Sequence, residues 1–145
     1  MTKNQKHNQA FIKLINQLDS SDGHPERTLM AITDTVAKTM QVEQASLWQF
    51  SPISMDVRCI AVSGRGVTQA QKERVDLTLH TALLTALQTE ISISILNISK
   101  DLRTSALPRE YWMLPNVKSS LHIPIRSIRK IQGILRLDSR SERDW

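Results

Sequence analysis

Hydrophobic positions in the first forty residues recur at helical spacing. Phe11, Leu14, Ile15 and Leu18 form one stripe within residues 4–19. Ser20-Ser21-Asp22-Gly23 breaks it, and Pro25 followed by Glu26 makes a helix start, because proline lacks an N–H that has no partner in a first turn anyway. Leu29, Ile32, Val36 and Met40 then predict a second amphipathic helix over 25–41. From residue 44 the spacing changes. QASLWQF (44–50) and MDVRCIAVSG (55–64) read as two strands joined by the turn formers Ser51, Pro52 and Ser54. Gly64 and Gly66 open a loop, and residues 70–89 read as helical, with Leu77, Leu79, Leu83, Leu84 and Leu87 for packing. ISISILNIS alternates with period two and predicts a strand over 91–96. KDLRTSALPREYWMLPN is loop with a short helix near 108–113, and residues 117–126 and 130–138 are two more strands around a basic turn.

Helices and strands come in runs, which favours an α+β domain on a central antiparallel sheet of five to six strands. Successive strand side chains point to opposite faces. Leu121, Ile123, Ile125, Ile131, Leu135 and Leu137 thus make one apolar face, for which the N-terminal helices supply matching stripes. The other face carries Ser120, His122, Pro124, Ile134, Arg136 and Asp138. Many antiparallel sheets leave such a face in water. Here the helix at 70–89 and the segment 104–115, with Leu107, Tyr111, Trp112 and Leu114, also need a surface, and the first is taken. Laid over the second face, with Trp48 joining from the first strand, they make a lid and a small pocket over His122, Arg136 and Asp138.

Composition narrows the function. A chain of 145 residues, 40% hydrophobic and 23% charged, fits one globular domain. No run approaches the roughly 18 apolar residues of a membrane span. The N-terminus lacks a secretory pattern, which makes the cytoplasm the expected compartment. The single cysteine, Cys59, rules out a disulfide framework and a multi-cysteine metal site. His7, His24, His80 and His122 show no metal-ligand spacing. There is no GxSxG elbow, phosphate loop or dinucleotide loop. A non-enzymatic protein without catalytic or metal residues is the expectation. Of 19 basic and 14 acidic residues, ten and five lie in residues 100–145, so the net +5 sits in the last third. Arg126, Arg129, Lys130, Arg140 and Arg143 define an alternative, a module for nucleic acid or an anionic surface. Aromatic content of 4% weighs against nucleic acid, whose readers interleave rings with arginines.

ASLWQF at 45–50, DLRT at 101–104, the Tyr111-centred REYW, VKSSLHIPIR at 117–126, the glycine of IQGIL and the closing RDW form an ordered set. In that order and spacing they resemble a GAF domain, the PAS-related sensor module, of the kind found in bacterial sensor histidine kinases and related signalling proteins. The resemblance runs from Pro25 to Trp145. It implies N-terminal helices on one side of the sheet and a ligand pocket on the other, lined from Trp48, Tyr111, Ser120, His122 and Asp138; strand parity adds Arg136. It also implies a cytoplasmic regulatory module that binds a small ligand, pairs as a homodimer and passes a signal to an output domain. Residues 1–22 would be a helix suited to dimerisation, and residues 23–145 a GAF domain lacking its final helix, which Trp145 would open. Leu107-Pro108 stands where bilin-binding relatives carry the attachment cysteine or a histidine, which argues against a covalently bound bilin and leaves any cofactor unknown. Asn97 replaces an aspartate and His122 an often acidic residue, so the pocket leans toward an anionic or neutral polar ligand. Methionine sulfoxide reduction, known for some GAF proteins, needs several cysteines.

Overall fold

The computed structural model describes residues 25–64, 74–128 and 130–145. The stripe at 4–19 and the domain division at 22–23 lie outside them, as does Arg129. Helix α1 (Pro25–Met40) begins at the proline, as its missing N–H favours. It ends where Gln41 turns into the left-handed region at φ 53°, with Val42 N–H donating back to Ala37 O at 3.1 Å. That is a Schellman-type stop made without glycine.

Strands β1 (Gln44–Ser51) and β2 (Asp56–Gly64) form a hairpin, followed by the short β3 (Arg74–Asp76) and helix α2 (Thr81–Thr89). Strand β4 (Ile93–Ile95), the single turn α3 (Arg109–Trp112), β5 (Ser119–Ser127) and β6 (Lys130–Ser139) complete the chain. The six strands make one sheet in the order β3-β2-β1-β6-β5-β4, with every pairing antiparallel. This is the α+β architecture anticipated from the pattern.

Of the helix expected over 70–89, residues 70–73 lie outside the described residues, Arg74–Asp76 form a strand and only Thr81–Thr89 are helical. Asp76 accepts from Thr78 N–H at 2.8 Å and from Thr78 Oγ at 2.7 Å, a local turn that ends β3 before α2 starts. Arg74 pairs with Asp56 at 2.9 Å across β2 and β3. The leucines therefore separate: Leu77, Leu83 and Leu87 are buried, whereas Leu79 is 91% exposed.

Two apolar cores flank the sheet. On the α1 side, Ile32 and Ala37 of the helix meet Ala45, Leu47, Ala61, Leu121, Ile125, Leu135 and Leu137. Burying each large side chain of this set contributes about 1.5–3 kcal/mol. Thr33 Oγ lies 2.7 Å from Ser63 Oγ and ties the helix to β2. On the opposite side, Leu83, Ala86 and Leu87 of α2 and Leu107, Tyr111, Trp112 and Leu114 of the crossover pack on Trp48, Phe50, Ile93, Ile95 and Ile134. The second face is covered.

Two bulges alter strict parity. Trp48 pairs with Cys59 although Leu47 pairs with Ala61, so Ile60 is the extra residue of β2. Ile125 pairs with Gly133 and Arg126 with Ile131, so Gln132 is extra in β6. Ile131 consequently packs in the α2-side core, not with Leu135 and Leu137 as uninterrupted alternation predicts. Gly133 is required there, because a Cβ would overlap the Trp48 carbonyl oxygen. Residues 140–145 contain no helix, and Trp145 packs against the α1-side core with the Arg143 guanidinium 4.7 Å from its ring centre.

Candidate functional site

Strand register places the expected site residues on a grid across β1, β6 and β5. Gln44, Asp138 and Ser120 form one row; Ser46, Arg136 and His122 the next; Trp48, Ile134 and Pro124 the third. All point to the α2 side. Trp48, Tyr111, Ser120, His122, Arg136 and Asp138 are all essentially without solvent contact. The structure brings all six together, Tyr111 descending from α3.

Their polar atoms satisfy one another. Arg136 Nε donates to Asp138 Oδ2 at 2.9 Å, Nη1 to Tyr111 O at 2.6 Å and Nη2 to Trp112 O at 3.1 Å. Asp138 also accepts from Gln44 Nε2 at 2.8 Å and from Ser120 Oγ at 2.8 Å. Because the Ser120 proton goes to that carboxylate, Ser120 Oγ must accept from His122 Nδ1, 3.2 Å away. His122 Nε2 is then the acceptor for the Tyr111 hydroxyl at 2.7 Å. One imidazole tautomer fits the chain: neutral, with its proton on Nδ1.

Electrostatics agree with that assignment. Burial holds His122 well below the usual histidine range, and the positive charges of Arg136 and Arg103 push it the same way. Burial also raises the Tyr111 phenol to about 12, against the opposing pull of Arg136. The guanidinium of Arg136 lies 4.8 Å from the Trp48 ring centre, 4.5 Å from Tyr111 and 5.0 Å from Trp112. Such enclosure by three rings suits the weakly hydrated, planar arginine cation far better than a lysine.

Arg136 thereby fastens the crossover to the sheet. Its fork grips the last carbonyls of α3, where cations are favoured. The next residue, Met113, has φ 62° and ψ −50°, a γ-turn closed by Leu114 N–H donating to Trp112 O at 2.6 Å. That geometry is rare and strained for a side-chain-bearing residue. The DLRT run anchors the crossover's other end. Asp101 accepts from Arg103 Nε and N–H, both at 2.9 Å, which holds its carboxyl below the usual carboxylate range, and Thr104 Oγ donates to Ile98 O at 2.8 Å.

Gln44, Ser46 and Trp112 join the same buried cluster. Gln44 and Ser46 share a strand face with Trp48, so alternation in QASLW carries the signal for both. Trp48 Nε1 donates to Ser46 Oγ at 2.8 Å, and Gln44 Nε2 additionally to Trp112 O at 3.1 Å. Cys59 is buried, with its thiol donating to Ala61 O at 3.4 Å. Among the described residues, no group of three histidine, cysteine or acidic side chains is placed to hold a metal ion, and no helix is long and apolar enough to cross a membrane. Of the basic residues of the last third, Arg126 donates to the Leu87 and Glu90 carbonyls, Arg140 to Pro115 O and Arg143 to Gln41 O. Those cations brace the fold.

The sequence matches no protein-family model, and no curated protein matches it. Solved structures do. The GAF domain of an Acinetobacter phosphoenolpyruvate-protein phosphotransferase is 21% identical, aligned over 100% of this chain and 82% of that one, with a TM-score of 0.68. A far-red cyanobacteriochrome photoreceptor is 20% identical over 97% of this chain and 86% of its own, with a TM-score of 0.64. A type II free methionine-R-sulfoxide reductase from Thermoplasma acidophilum is 12% identical over 81% and 75%, with a TM-score of 0.59. The chain has the phytochrome-related fold of GAF domains, as its motif order implied.

Proposed function

We propose that this chain is a non-enzymatic regulatory sensor domain that binds a small ligand between the sheet and the α2–α3 cover. In this reading it is a cytoplasmic module of a larger signalling protein such as a histidine kinase, pairs as a homodimer through residues 1–22, and alters an output domain when the cover moves. The observation that carries the reading is the buried grid of Gln44, Ser120, His122, Arg136 and Asp138 beneath a crossover that Arg136 fastens to the sheet. A fold that only needed a second layer would fill this face with apolar side chains, since buried ionic groups stabilise no better than well-packed hydrophobic ones. Support also comes from the fold shared with a photoreceptor and with a phosphotransferase's GAF domain. The methionine sulfoxide chemistry in the reductase's name finds little support here, where the one thiol is buried and bonded within its own strand.

A metabolite panel screened by thermal shift tests the reading. A ligand at about 100 times its Kd adds about 2.7 kcal/mol of stability. The expected result is a compound that stabilises the wild type and loses its effect in His122→Phe and Arg136→Lys. Identical profiles for parent and variants overturn it.

A further inference from the structure

The Trp112 carbonyl oxygen receives three N–H donors: Leu114 N at 2.6 Å, Arg136 Nη2 at 3.1 Å and Gln44 Nε2 at 3.1 Å. A neutral carbonyl has two lone pairs, so this oxygen is over-subscribed. One of the three donors carries full positive charge, and charge-assisted hydrogen bonds are about twice as strong as neutral–neutral ones. Beside it, the Tyr111 carbonyl oxygen takes Arg136 Nη1 at 2.6 Å. The two carbonyls together occupy the Nη1–Nη2 edge of the guanidinium, the edge whose parallel N–H bonds match the two oxygens of a carboxylate. Asp138 engages Nε instead, its charge shared among Arg136, Gln44 and Ser120, so it orients the fork without blocking that edge.

We infer that the Nη1–Nη2 edge of Arg136, with Gln44 Nε2 and the Leu114 N–H, is the recognition point for an oxyanion, a carboxylate or phosphate group, that replaces the Tyr111 and Trp112 carbonyls. The inference rests on the sensor reading above and specifies its ligand class. In the present state the end of α3 stands in for the ligand. Displacing its carbonyls frees the crossover from the sheet and lets Met113 leave its left-handed backbone conformation, so binding and cover movement are one event. Gln44 Oε1, buried and without a partner, lies on the same side chain and is open to a donor group of a larger ligand.

NMR titration of the isotope-labelled wild-type protein with sodium acetate and, separately, inorganic phosphate tests this, with acetamide and sodium chloride at matched ionic strength as controls. The expected result is saturable movement of the Leu114 amide and the Arg136 side-chain signals with an anion and none with either control. Whichever of acetate and phosphate saturates at lower concentration names the group. Gln44→Leu is expected to weaken that binding about tenfold, as for a lost hydrogen bond to a charged partner. No saturable movement at Leu114 and Arg136 with either anion, or an equal response to acetamide, overturns the inference. A panel compound that stabilises the protein but leaves Leu114 and Arg136 unmoved also overturns it while the sensor reading stands. A panel without any stabilising compound counts against the sensor reading itself.

Discussion

The Tyr111 hydroxyl donates to His122 Nε2 at 2.7 Å, and the two rings lie within 10° of parallel with centroids 5.9 Å apart. This bond links the cover to the sheet at a point where neither partner can turn to water. Tyr111→Phe keeps the ring between Trp48 and Trp112 but leaves a buried imidazole nitrogen unpaired. The expected loss is about 1–3 kcal/mol in urea unfolding, with the fold retained. An unchanged midpoint would mean that the hydroxyl is not bonded there.

Acid should weaken the domain through the same histidine. The folded form keeps His122 neutral, its protonation depressed by burial and by Arg136, whereas the unfolded chain titrates near the ordinary 6.5. Below that value the unfolded state binds a proton that the folded state refuses. The His122 contribution is therefore full above pH 6.5 and declines as pH falls, by up to about 1.4 kcal/mol per pH unit. Asp101, lowered chiefly by Arg103, adds its own decline only below its ordinary 3.8. Urea unfolding from pH 7 to pH 4.5 should show the first decline in the wild type and a shallower one in His122→Gln.

At alkaline pH the reporter is unique, because Tyr111 is the single tyrosine of the chain. Its folded phenol ionises at about 12 against an ordinary 10.0. Phenolate absorbance of the native protein should stay flat through pH 10 and rise near 12 or on unfolding. Above 10 the unfolded state gives up its proton first, so stability falls as pH rises. A midpoint near 10 in the folded protein would place the ring in contact with water.

Arg136 and Asp138 are joined at 2.9 Å with both side chains fully buried. Breaking such a pair strands a charge, and Arg136→Met alone is expected to cost about 3–5 kcal/mol. Arg136→Met combined with Asp138→Leu should lose much less, because no charge is left behind. Additive losses in chemical denaturation would show that the two residues act separately.

The placement of the candidate residues was largely legible because period-two alternation in KSSLHIPIR and ILRLD sorts Ser120, His122, Arg136 and Asp138 onto one face, and the surplus of apolar residues in 104–115 signals a cover. Gln44 carries a weaker signal although it shares that face with Trp48, since a glutamine at a strand start reads as solvated. Ile131 fell on the wrong face because a bulge at Gln132 is invisible to a pattern that counts residues evenly. The helix expected at 70–89 rested on leucine content; the Asp76–Thr78 turn that divides it is a three-residue bonding pattern with no hydrophobic signature. Least legible were the partners of Arg136 on the cover. They are backbone carbonyls, and sequence displays side chains.

Central to the proposed function is an Arg136 guanidinium clamped between sheet and cover. NMR observation of arginine side-chain protons in the folded protein tests that directly. The structure predicts separate, slowly exchanging Nη signals for Arg136, with cross-relaxation to the indole rings of Trp48 and Trp112. A single averaged, rapidly exchanging signal without contacts to those rings would contradict it.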